Sequence, residues 1–195
     1  AEEFGDERVS QLQTRDEARA FSEKDLLTTE PVTVVLSRKG WIRLAKGHEI
    51  DPQSLSYKSG DDYQAAARGR SNQNVILLDS TGRSYALPAH TLPSARGQGE
   101  PVTGRLNAPS GAEFKGLLLG DGDQPVLLAS DAGYGFVSTL NDMYTKKRAG
   151  KAALSLPKGS RVLPPVPVRN DEDSLVVAIS NEGRMLVFPL DDLPR

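Results

Sequence analysis

Four times along the chain an apolar run ends in Ser or Asp, passes two residues, reaches Gly and resumes as a second apolar run. The copies read "VTVVLSRKGWIRL", "NVILLDSTGRSYAL", "PVLLASDAGYGFVS" and "LVVAISNEGRMLVF". Their glycines are Gly40, Gly82, Gly133 and Gly183, spaced by 42, 51 and 50 residues. Ser37, Asp79, Ser130 and Ser180 can each accept a hydrogen bond from the turn backbone, while the Gly takes the positive φ that closes a type I turn with a bulge. The pattern predicts four hairpins. Further β-prone runs such as "DYQAAARG", "EPVTGRLN" and "KAALSLP" fill the intervals and make about four strands per unit. Periods of roughly 40 to 50 residues with four strands each are those of propeller blades, which bury their faces only against neighbours. Evenly spaced turns in a β-sandwich are the alternative, and the matching of the strands as well as the turns argues against it.

The same alignment predicts a core. Val34, Leu36, Ile76, Leu78, Val126, Leu128, Val176 and Ala178 are placed at matching alternate positions before the four turns, so they should be mostly buried between blades. Trp41 and Tyr134 follow hairpin glycines where strands restart, which suits packing between blades better than stacking on bases. Thr14 and Glu17 have capping-box spacing, so residues 14–26 predict a short helix or extended arm before the first blade.

Composition agrees with a turn-rich all-β protein, because only 37% of the 195 residues are apolar while Gly and Pro number 18 and 13. There is no Cys, which removes disulfides, thiolate metal sites and Cys catalysis and suits a reducing cytosol. The acidic start "AEEFGDERVS" lacks a signal peptide's basic and apolar regions, and "GLLLG" is too short to span a bilayer, so no membrane partner is expected. The net charge of −2 conceals an asymmetry. Residues 1–30 carry nine acids and four bases, residues 31–195 seventeen acids and twenty bases. A mildly basic body makes a phosphate-binding surface only where Lys and Arg cluster.

Catalytic constellations are not found. His48, Glu49 and Asp51 in one loop read as a solvated loop rather than a metal site. "GDGDQ" at 120–124 begins like a calcium loop without its further ligands and reads as a turn. Gly97, Gly99 and Gly104 do not keep dinucleotide spacing.

The repeat and its connecting segments resemble the C-terminal domain of the A subunit of bacterial type IIA topoisomerases. "EFGDERVSQL" is similar to the junction that follows the catalytic core there, and "SEKDLLTTEPVTVVLSRKGWIR" to the start of the first blade. The resemblance implies a β-pinwheel, a propeller variant whose neighbouring blades exchange strands, with about four four-stranded blades here in an open or incomplete ring. Residues 1–30 would be the junction or arm and 31–195 the DNA-binding domain, truncated at its C-terminus, with Pro194 leading into a further segment as "LP" at 92 and 93 leads into the second box. One branch of the family, gyrase, carries a box close to Q-R-R-G-G-K-G in its first blade. Here that stretch reads "LSYKSGDDY", the second box "LPSARGQGEP" and the third "KKRAGKA". Gly60, Gly97, Gly99 and Gly150 survive, but only the third box keeps a run of bases. The degraded boxes point to the topoisomerase IV branch.

On that resemblance the chain is expected to bind and bend duplex DNA without sequence readout, on the bacterial chromosome in the cytoplasm. Its protein partners would be the catalytic core to which it is joined and, in the holoenzyme, the B subunit. It should need no cofactor itself, ATP and Mg acting in the holoenzyme, and should carry no catalytic residue. A gyrase-type wrapping domain and a protein-interaction propeller without DNA binding are the alternatives. Arg38, Lys39 and Arg43 on the first hairpin, Lys58 in the first box, Arg68 and Arg70 in the loop before the second hairpin, Arg83, Arg96 in the second box, and Lys146, Lys147, Arg148 and Lys151 in the third are the candidate DNA contacts.

Overall fold

The computed structural model describes residues 29–169 and 174–195; the arm expected over 14–26 lies outside them. All four hairpins form: β1 (Pro31–Ser37) with β2 (Trp41–Lys46), β4 (Asn74–Asp79) with β5 (Arg83–Pro88), β8 (Pro125–Ala129) with β9 (Gly135–Thr139), and β12 (Leu175–Ile179) with β13 (Met185–Pro189). The turn is the same in each. Gly40, Gly82, Gly133 and Gly183 have φ of 76, 81, 81 and 78°, and their amides donate to the carbonyls of Ser37, Asp79, Ser130 and Ser180 at 3.0, 3.1, 3.1 and 3.0 Å. Ser37 Oγ, Asp79 Oδ1 and Ser180 Oγ also accept from the amides of Trp41, Arg83 and Arg184 at 3.0, 3.0 and 3.2 Å. Ser130 departs from this, its hydroxyl donating to the Tyr134 carbonyl at 3.4 Å. The mouths of the hairpins close alike too, with the amides of Gly47, Ala89, Leu140 and Leu190 donating to the carbonyls of Pro31, Gln73, Gln124 and Ser174.

Sheets grow on these hairpins unequally. β3 (Tyr63–Arg70) pairs with β1 and β6 (Glu100–Pro101) with β2, while β7 (Phe114–Leu119) pairs with β4 and β10 (Lys151–Ala152) with β5. β11 (Val166–Pro167) joins β8, and among the described residues the fourth hairpin has no further strand. The expected four strands are thus reached in two blades, with three in the third and two in the last.

Two of these pairings cross between repeats. β6 follows the second hairpin but completes the first sheet, and β10 follows the third hairpin but completes the second. An outgoing segment that pairs with the previous blade satisfies an edge that would otherwise expose its amides and carbonyls. The third blade receives the start of such a return. The Val137 amide donates to Pro194 O at 2.9 Å, just as the Leu44 amide, also four residues past its hairpin glycine, donates to Pro93 O at 2.8 Å.

The core lies between blades in two clusters. In the first, Val32, Val34 and Leu36 of β1 meet Val75 and Leu77 of β4, with Tyr85, Phe114, Leu117 and Leu119 around them. In the second, Ile76 and Leu78 from the opposite face of β4 meet Val126 and Leu128 of β8, with Leu140, Met143 and Leu154. β4 is therefore buried from Val75 to Asp79 without alternation, as a strand covered on both faces must be.

This corrects the expected core. Val34, Leu36, Ile76 and Leu78 face the following blade, whereas Val126 and Leu128 stand one position further from their glycine and face the preceding one, like Val75 and Leu77. A slip of one residue exchanges faces. Val176 is only half-buried and Ala178 exposed, because among the described residues no equivalent neighbour covers the fourth hairpin. Tyr134 is 64% exposed rather than packed between blades.

Candidate nucleic-acid interface

The first box folds back on its own hairpin. Residues 56–62 lie over the turn at 37–43, with the Arg38 amide donating to Asp62 O at 2.9 Å. Asp61 organises the contact: its carboxylate accepts from Ser37 Oγ at 2.6 Å and from the amides of Lys39 and Asp62 at 2.9 and 2.8 Å. Burial alone would raise the Asp61 pKa, but these donors and the Lys39 charge outweigh it and hold the carboxyl below its usual range. Lys58 places its ammonium 3.3 Å from the centre of the half-buried Trp41 ring, and Lys39 reaches the Ser59 carbonyl. Arg38 pairs with Asp62 at 3.9 Å. The bases at this tip are exposed, but two acids share the surface with them.

Arg43 is not on the surface. It is 3% exposed, and its Nη1 donates to Ser56 O and Gly97 O at 2.9 and 3.1 Å, with the guanidinium 4.6 Å above Tyr57. Burial holds the Tyr57 phenol above its usual range although Arg43 pulls it down. Expected among the DNA contacts, Arg43 is instead held inward by the carbonyls of Ser56 and Gly97 and by the Tyr57 ring, on the face of β2 opposite Ile42 and Leu44, and has almost no surface to offer a phosphate. Arg68 and Arg70 are exposed on β3, not in a loop, opposite Thr33 and Pro31. Arg68 and Lys115 line a groove between β3 and β7 whose far wall is Pro164, Pro165 and Pro167.

The second and third boxes dock on the preceding blade through their glycines. At Gly99, with φ 85°, a Cβ would stand 2.4 Å from Ile42 O; at Gly150, with φ 67°, it would stand 2.6 Å from Ser84 O. Ile42 and Ser84 each lie two residues past a hairpin glycine, so the box glycine permits the returning strand's close approach. Arg96 is exposed on the second box. Arg83 is half-buried, with Nε donating to Ala149 O and Nη2 to Gly150 O, both at 3.0 Å, and Lys151 is half-buried on β10 opposite Ser84.

Lys146, Lys147 and Arg148 are distinguished from these by standing together. They are exposed and line one concavity with Ala86, Leu87, Leu106 and Arg105. Among the described residues no carboxylate lies within ion-pair distance of the three. The Asn107 amide holds Arg148 O at 2.8 Å, and the Gly150 amide holds Lys147 O at 2.9 Å. Arg105 was missed by the sequence reading. It is tied to Glu100 and to Thr91 Oγ1 and O, and lying outside every box it offers no local signal. The other motifs resolve as local structure. Asp51 Oδ1 caps a 3-10 turn at Pro52–Ser54 by accepting from Gln53 N, and His48 Nε2 meets Gly69 O. "GDGDQ" is a turn, in which Asp121 Oδ1 accepts from Gln73 Nε2 of the preceding blade at 2.8 Å.

Hairpins that lend a strand to the blade before them define the β-pinwheel, and comparison with known proteins agrees. No family model matches the chain. It is 59% identical over 195 residues to the DNA topoisomerase 4 A protein of Pseudomonas aeruginosa and 55% identical to that of Escherichia coli, covering 100% of this chain and 26% of each relative. The solved structure of the E. coli ParC C-terminal domain is 55% identical, with a TM-score of 0.79, over 85% of this chain and 67% of that one. A gyrase A C-terminal domain shares the fold at 18% identity and a TM-score of 0.58, over 84% of this chain and 56% of that one. The chain belongs to the topoisomerase IV A family, as its C-terminal domain. It spans about a quarter of the length of the curated relatives it matches.

Proposed function

We propose that this chain binds duplex DNA through its phosphates, without reading sequence, and bends it toward the catalytic core to which it is joined. In a bacterial topoisomerase IV holoenzyme completed by the B subunit, working on the chromosome in the cytoplasm, this would bias which crossings are presented for passage, and so serve decatenation and supercoil relaxation. The observation that carries the reading is the third box: three exposed bases, none within ion-pair distance of a carboxylate among the described residues, on a turn whose backbone is pinned at Lys147, Arg148 and Gly150. Phosphate binding needs such uncompensated charge, whereas base readout needs an element shaped for a groove. The first box supports bending over gyrase-type wrapping, because its bases share their surface with Asp61 and Asp62.

Replacing Lys147 and Arg148 together by Ala tests the reading in a titration of duplexes of unrelated sequence at several salt concentrations. Each neutralised phosphate contributes about −0.9 to the slope of log K against log salt, so the slope should flatten by roughly one to two units, equally on every duplex. Unchanged affinity and slope would remove this box from the DNA path, and a loss on one sequence only would contradict backbone binding.

A further inference from the structure

We infer that Arg83 and Arg43 are positioning residues: each grips the backbone of the box that returns to its blade, Arg83 by two carbonyls and Arg43 by one, and so fixes the base or bases on that turn for phosphate contact. The inference rests on the DNA reading above. Arg83 spends Nε on Ala149 O and Nη2 on Gly150 O, the two carbonyls that directly follow Arg148. A guanidinium satisfies both at once through its planar fork, which an ammonium cannot match. The turn it holds has little room elsewhere, since the place of a Gly150 Cβ is blocked by Ser84 O and by Tyr85 Cε1, both at 2.6 Å. With the Gly150 amide on Lys147 O and the Asn107 amide on Arg148 O, the backbone beneath the free bases is held from three sides.

The first blade solves the same problem from another position. Arg43 reaches Gly97 O in the second box and Ser56 O in the first, and the turn it holds carries the exposed Arg96. Arg83 lies one residue past its hairpin glycine and Arg43 three past its own, so aligning the repeats does not bring the two together. Neither suits direct phosphate contact: Arg43 has almost no surface, and two of the donors on Arg83 point into the protein.

The test uses the full chain and mixed-sequence duplex DNA, with Arg83→Lys, Arg83→Gln, the Lys147→Ala/Arg148→Ala pair, and that pair combined with Arg83→Gln. A phosphate ligand is rescued by Lys, whereas a two-carbonyl grip is not, so Arg83→Lys should weaken binding about as much as Arg83→Gln, by roughly tenfold. In the paired background Arg83→Gln should add almost nothing, because what it positions is gone; a direct contact would add its loss in full and flatten the salt slope by a further ~0.9. Amide hydrogen exchange supplies the structural readout: both Arg83 variants should speed exchange at Gly150 and Lys151 while β4 keeps its protection. Wild-type binding by Arg83→Lys, additive losses, or unchanged exchange at Gly150 would each overturn the inference. Should the alanine pair bind normally while Arg83→Gln still loosens Gly150, the DNA reading of this box fails and the grip stands only as structure, which is also a defeat for the positioning role.

Discussion

Gly82 and Gly133 have the same backbone, with φ of 81° at both, and differ in what surrounds the missing side chain. A Cβ on Gly82 would lie 2.1 Å from Leu154 O, whereas one on Gly133 would meet nothing within 4 Å. Both substitutions to Ala carry the left-handed strain of about 1–2 kcal/mol. Only Gly82→Ala must also displace the returning segment, whose Ala153 and Leu154 amides both donate to Gly82 O at 2.9 Å. Denaturant unfolding is expected to show Gly82→Ala losing roughly 2 kcal/mol more than Gly133→Ala, within the range of overpacked sites; equal losses would mean the Leu154 segment gives way freely. The need for Gly in these turns was legible in the sequence, since the four-residue frame carries its own reason. The crowding at Gly82 was not, because the atom responsible arrives from the next repeat.

At the scale of the element, the tip of the first hairpin and its box form a small polar unit centred on Asp61. Because the Asp61 pKa is lower folded than unfolded, its ionised form stabilises the fold at pH values above the unfolded carboxyl value of about 3.9, and that contribution is lost as pH falls through the lower folded value. Unfolding midpoints measured from neutral pH downward should therefore fall more steeply below about pH 4 for the natural chain than for Asp61→Asn, which has no proton to take up there. Matching slopes would show that the Ser37 and Lys39 donors do not favour the charged form. The same unit explains a mistaken expectation. A base on a hairpin beside a degraded box looks like a DNA contact in the sequence, yet Arg43 is consumed by the carbonyls of two boxes. Strand faces were misread for a related reason: β4 is apolar on both sides, so no alternation in its sequence marks which residue faces which blade, and only the distance to the hairpin glycine shows that Val126 and Leu128 match Val75 and Leu77 rather than Ile76 and Leu78.

Across the whole molecule, coverage falls along the chain. β4 lies between two clusters and contributes Val75 and Leu77 to one, Ile76 and Leu78 to the other. The fourth hairpin has the same turn and the same mouth as its predecessors, yet Val177 is 54% and Ile179 70% exposed. The repeat fixed the number and form of the hairpins in advance, but their burial depends on neighbours and on exchanged strands, which a pattern local to each copy does not encode. Local free energy of opening follows buried apolar contact, and β4 is also paired on both edges where β12 and β13 have only each other among the described residues, so amide exchange should rank β4 slowest and β12 with β13 fastest. Substitutions should follow that order. Leu77→Ala removes a side chain with no exposure and should cost about 2–5 kcal/mol in denaturant unfolding, whereas Ile179→Ala, already in water, should stay within about 0.5 kcal/mol. Comparable losses at the two sites would mean that the fourth hairpin is covered in solution as fully as the second, and that the stability of each blade is set within its own repeat rather than by the blade beside it.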